Sequence, residues 1–119
     1  MSDEAPDVGI DVPALLASVG GDHGLLDELT TTFETERSEW IASLRAALAD
    51  GDAAAVRRVA HSIAGALGYL RAAGVRRRAV DLEAMGRDGR LEGAGPAIDR
   101  LEADLGALSR LLAAAPWRR

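Results

Sequence analysis

Four stretches of this chain repeat apolar residues at steps of three and four, the period of a helix with one buried side, and none alternates them in the period of two that a half-buried strand requires. The last stretch is the most regular, with Ile98, Leu101, Leu105, Leu108 and Leu112 on one seam. Ahead of it, Ala79, Leu82 and Met85 mark a helix from Val75 to near Asp88, and Val56, Val59, Ile63, Ala66, Leu67 and Leu70 mark one from Asp52 to near Ala73. Leu25, Leu29, Phe33, Trp40, Leu44 and Leu48 mark the longest, from Asp22 to Asp50. Local punctuation agrees with the periods. Asp22 and Asp52 suit N-caps, while Gly51, Gly74 and the Asp88-Gly89 pair suit helix ends, and the last helix begins near Gly95 and Pro96. A shorter segment with Pro13 in its first turn and Leu15, Leu16 and Val19 on one side stops at Gly20 and Gly21. Stripes of this kind exist to be buried against one another. The pattern therefore predicts an all-α fold, an antiparallel up-and-down four-helix bundle with a short additional N-terminal helix across one end.

A chain of 119 residues supports one core, so a single domain is expected over residues 10–115, between an acidic, aperiodic segment 1–9 expected to be disordered and a C-terminal tail 116–119. Aromatic residues are 3% and the formal net charge is −5, which argues against a nucleic-acid partner. With no cysteine there are no disulfides or thiolate metal sites, and the two histidines lack any ligand spacing, so neither a metal nor a cofactor is expected in the chain. No apolar run approaches the roughly 18 residues of a membrane span, and MSDEAPDVG lacks the basic start and apolar stretch of a secretory signal. A cytoplasmic protein without membrane contact is the expectation. No apolar seam is left over once the bundle is built, which points to a monomer.

The segment from Asp52 to Ala73 carries the chemistry. Each helical residue advances about 100°, so with His61 at 0° the apolar Val59, Ile63, Ala66 and Leu70 fall at about 160°, 200°, 140° and 180°. His61 is thereby expected to face outward. Ala64, Gly65, Gly68 and Ala72 lie within about 60° of it, so small residues are expected to surround the ring. Glycine inside a helix costs roughly 0.5–1 kcal/mol relative to alanine; close approach of another backbone is one reason to keep two of them. An exposed imidazole is largely uncharged near neutral pH and offers a ring-nitrogen lone pair, as attack on phosphorus needs. Phosphoryl transfer also needs positioning and charge stabilisation. A solitary histidine can carry the group while a partner supplies those. Arg57 and Arg58, one turn before His61, are candidate cations, and the run Arg76, Arg77 and Arg78 reads either as a solvated face or as a docking surface for an acidic partner.

The stretch AHSIAGALGYLRAAGV, residues 60–75, resembles the signature of histidine phosphotransfer domains: an alanine before His61, Ile63 and Gly65 two and four residues after it, then Ala66, Leu70, Ala73 and the later Leu82-Glu83 pair. The segments leading into the histidine are similar as well, so that the resemblance spans Ile10 to Leu112. It implies a four-helix bundle whose His61 is the phosphoacceptor, exchanging phosphate with the aspartate of a response-regulator receiver domain or with a histidine kinase in a two-component phosphorelay. Gly65, Gly68 and Ala64 would be the flat surface that admits the partner, with Arg57 and Arg58 supporting. The resemblance also implies that Mg2+ belongs to the receiver and that the chain is a carrier rather than a free-standing catalyst. Where the family commonly has a lysine, three residues after the histidine, this sequence has Ala64. The alternative is therefore a docking module that binds a receiver or kinase with weak or no transfer.

Overall fold

The structure, a computed structural model, describes residues 9–118. The helices are α1 (Val12–Ser18), α2 (His23–Ala49), α3 (Ala53–Tyr69), α4 (Ala73–Arg87) and α5 (Ala94–Ala113), followed by a 3-10 turn, Pro116–Arg118. The four long helices pack in cyclic order, α2 on α3, α3 on α4, α4 on α5 and α5 on α2, which is the up-and-down bundle expected. Among the described residues no helix is long and apolar enough to cross a membrane.

Local chemistry sets the helix limits. The Asp22 and Asp52 carboxylates accept hydrogen bonds from the amides of Leu25 (3.1 Å) and Ala55 (3.0 Å), and Asp11 caps α1 in the same way through Ala14 (3.0 Å). Helices α1, α2 and α4 end on Gly20, Gly51 and Gly89, each at positive φ. Helix α3 ends earlier than its sequence suggests. Arg71, not Gly74, takes the left-handed position (φ 57°), and the amides of Arg71 and Ala72 bond back to the carbonyls of Gly68 (3.1 Å) and Leu67 (3.0 Å). These two bonds, with Ala72 buried on Leu67's side of the turn, make a complete C-terminal cap without a glycine.

The core is aliphatic, as composition required, but two stripes are rotated from their expected centres. On α2 the buried positions are Leu26, Phe33, Ile41, Leu44 and Ala47, whereas Leu25 is 39% exposed. On α3 they are Val56, Ala60, Ile63, Ala64 and Leu67, with Val59 and Ala66 only half-buried. The α3 stripe is thus centred toward α4. Gly86 accounts for that closeness: a Cβ there would lie 2.6 Å from the amide nitrogen of Arg57 and 2.8 Å from the carbonyl oxygen of Ala53. On the opposite side of the bundle, the Arg37 guanidinium at 2.8 Å holds the Glu34 carboxyl below its usual range, and the Ser109 hydroxyl of α5 donates to the same carboxylate.

Helix α1 lies over the end of the bundle where α3 stops and α4 starts, with Leu15 fully buried. Gly9 and Asp11 bind the α3–α4 turn: the Ala73 amide donates to Gly9 (3.2 Å) and the Asp11 amide to Arg71 (3.0 Å). Gly9 thus meets the α3–α4 turn, and the rest of the segment expected to be disordered, residues 1–8, lies outside the described residues. Trp117, in the segment read as a tail, is buried, and Arg118 pairs with Asp27 of α2; the aromatic payload holds this end onto the bundle. The α3–α4 approach generates a test. Gly86→Ala forces the backbones apart and is expected to destabilise the protein by about 1–3 kcal/mol, read as a lowered urea midpoint; an unchanged midpoint would mean that the two helices do not depend on that contact.

Candidate functional site

His61 occupies the middle of α3 with its side chain 76% exposed. Because the buried stripe of α3 turns toward α4, His61 stands on the α4-side shoulder of the helix and not at the centre of its outer face. The Nδ1 atom lies 2.9 Å from Oε2 of Glu83, a residue of α4 whose side chain is only 20% exposed. Glu83 follows Leu82, which is fully buried in the core, so its helix position fixes where the carboxylate emerges. An ionised carboxylate can only accept, which assigns the ring proton to Nδ1 and leaves the lone pair on Nε2. With Nδ1 donating to Glu83, Nε2 is the free nitrogen of a side chain that is 76% exposed, an arrangement suited to a nucleophile.

The small residues divide into two groups. A Cβ on Gly65 would meet nothing within 4 Å, and one on Gly68 would meet only the Arg76 side chain, at 3.6 Å. Among the described residues no backbone of another segment comes within 4 Å of either Cβ position, so the surface beside His61 is open there. The groove next to it is lined by Val19, Leu25, Leu29, Gly65, Gly68 and Tyr69 among others, and Tyr69 is 80% exposed. Ala64 and Ala72 do not belong to this surface. Ala64 is 3% exposed, turned into the α3–α4 contact, and Ala72 is fully buried in the cap that follows α3, where helical angles no longer apply. Arg57 and Arg58 are exposed one turn before His61, and neither forms an ion pair among the described residues. Among those residues no group of three or more His, Asp or Glu side chains is gathered where it could hold a metal ion.

Glu83 is the member of the site that periodicity alone does not single out. The sequence supplies its place in a Leu-Glu pair, and only the packing of α4 on α3 makes it the partner of His61. A family model for the Hpt domain matches residues 28–111, which contain α3, α4 and the His61–Glu83 pair. The chain belongs to the Hpt domain family, the histidine phosphotransfer proteins of phosphorelays. A search of curated protein sequences finds no match. Among solved structures, this Hpt domain is similar to histidine-containing phosphotransfer protein B from Pseudomonas aeruginosa PAO1, with a TM-score of 0.79 and 29% identity over 93% of this chain and 96% of that one. The likeness thus spans nearly the whole length of both chains. Hpt proteins work with receiver domains and kinases in phosphorelays.

The open space over Gly65 carries a prediction of its own. Gly65→Ala is expected to stabilise this Hpt domain by about 0.5–1 kcal/mol, the helix preference for alanine, measured by urea denaturation. A loss of stability would show that the glycine serves internal packing and not an open surface.

Proposed function

We propose that this Hpt domain carries a phosphoryl group on Nε2 of His61 between the aspartate of a receiver domain and a second phosphorelay partner, in the cytoplasm. The observation that carries the reading is the 2.9 Å contact between Nδ1 and the Glu83 carboxylate on a ring that is otherwise exposed. The Nε2 lone pair attacks the phosphorus of the partner's aspartyl phosphate. A P–N bond forms as the P–O bond to the aspartyl carboxylate breaks, and the bonding pair leaves on that carboxylate. The Nδ1 proton stays where it is. Positive charge that grows on the ring during attack is balanced by Glu83, a charge-assisted hydrogen bond already formed before the reaction. The reverse step delivers the group to the next aspartate by the same geometry.

The remaining parts have supporting roles. The open face at Gly65 and Gly68 seats the receiver close to the ring, and Leu25, Leu29 and Tyr69 offer it apolar contact. Arg57 and Arg58 supply positive charge near the transferred group in a chain that has Ala64 where the family commonly has lysine. Any Mg2+ the transfer needs is held by the receiver's acidic pocket, and this chain supplies the acceptor and the platform. It acts as a carrier and not as a free-standing catalyst.

Incubation with phosphorylated receiver domains is expected to place an acid-labile, alkali-stable phosphoryl group on the wild-type protein and none on His61→Gln. Label that persists on His61→Gln, or its absence from the wild type while a receiver still binds, would contradict the proposal; the second outcome would favour a docking module. Glu83→Ala is expected to slow phosphorylation about 10- to 100-fold, the loss of a charge-assisted hydrogen bond of about 1.5–3 kcal/mol. Glu83→Gln, which can still accept from Nδ1 but carries no charge, should lose less.

A further inference from the structure

The arginine run at the start of α4 does not act as one unit. Arg78 is committed internally: its guanidinium pairs with Asp104 of α5, whose side chain is only 5% exposed. Arg77 is exposed and lines a neighbouring groove with Asp81 and Gly74, which adjoins the one holding Arg76 at Gly9 and Ala73. Arg76 turns the other way. Its Nε donates to the carbonyl oxygen of Ala64 at 3.3 Å, and its side chain lies across Gly68, with Nε 3.6 Å from where a Cβ would be. Gly68 shares the face of α3 that carries His61, two turns further on, so the absence of a side chain there is what admits the guanidinium to that face.

Arg71 stands beside it at the end of α3, held in the left-handed conformation by the cap. Neither Arg71 nor Arg76 forms an ion pair among the described residues. The acidic side chain that shares their groove, Asp11, is turned to cap α1 through the Ala14 amide. The groove beside His61 and the one holding Arg76 meet at Gly68 and Arg71, which line both. With Arg57 and Arg58 at the other end, the His61 face is bracketed by cations on a protein of net charge −5. Arg76 is anchored on Ala64 and Gly68, and among the described residues it forms no hydrogen bond with His61.

We infer that Arg76, with Arg71 beside it, is an electrostatic docking point for a carboxylate-rich patch on the partner protein, fixing the register in which the partner's aspartate meets His61. The inference rests on the carrier reading proposed above and assigns Arg76 a positioning role. The bond to Ala64 holds the guanidinium in place before the partner arrives, so less side-chain freedom is lost on docking. Charge of this kind acts on encounter and register and weakens with salt.

The test separates docking from chemistry. Wild type, Arg76→Gln, Arg76→Glu and Arg77→Gln are first phosphorylated with phosphoramidate, a donor too small to need the docking surface, and then mixed with a panel of receiver domains from the same cell. Labelling by phosphoramidate should be equal in all four. For the receiver that accepts fastest from wild type, KM is expected to rise about 10-fold in Arg76→Gln and further in Arg76→Glu at low salt, with the gap closing at high salt. Arg77→Gln, the same charge change in the adjoining groove, should match wild type, and kcat should hold throughout. Equal KM values for wild type and Arg76→Glu, or an equal loss in Arg77→Gln, would overturn the inference. If phosphoramidate does not label His61, or no receiver accepts from wild type, the carrier reading fails first and takes this inference with it.

Discussion

Gly86 lets α4 lie against the first turns of α3 with no side chain between the two backbones, and the functional site depends on that closeness. It draws the buried stripe of α3 toward α4, takes Ala64 into the contact, and leaves His61 on the shoulder and not the crown of its helix. From the crown, the ring would have only solvent for a partner. From the shoulder it meets the Glu83 carboxylate, which comes off α4 next to the fully buried Leu82 and so has little freedom to be elsewhere. A packing detail at the far end of α4 thus becomes an electronic property of the imidazole, because the side that faces Glu83 must carry the proton.

Much of this was legible in the residues. The helix count, the order of packing and the positions of Asp22, Asp52, Gly20, Gly51 and Gly89 follow from period and capping chemistry, and His61 falls outside the apolar stripe by arithmetic alone. What the sequence hid has a common physical origin. A helical wheel places residues relative to one helix, whereas the rotation of that helix is decided by its neighbours; hence Leu26 is buried where Leu25 was expected, and Ala64 is lost from the open face. The end of α3 was misplaced because Arg71 adopts a conformation that favours glycine, stabilised by the two cap hydrogen bonds and by the Gly9–Asp11 segment bound to the same turn. Glu83 is legible only as part of the Leu82-Glu83 pair of the resemblance, because its place beside His61 arises only between two helices.

The glycines of the site carry a similar lesson. Their common property is the absence of a side chain, but Gly86 uses it to admit a neighbouring backbone, Gly68 to admit the Arg76 side chain, and Gly65 to leave a surface bare. The last use has no internal beneficiary. It makes sense for a protein whose reacting atom must come within bonding distance of an atom held in another protein's pocket.

The central claim is that Glu83 fixes the His61 tautomer and so chooses the nitrogen that carries phosphate. Nitrogen-15 NMR of the imidazole, before and after phosphorylation, tests it most directly. The account predicts a protonated Nδ1 and a free Nε2 in the resting protein, and phosphorus coupling to Nε2 once the group is on. A resting ring protonated at Nε2, or phosphorus bonded to Nδ1, would contradict it.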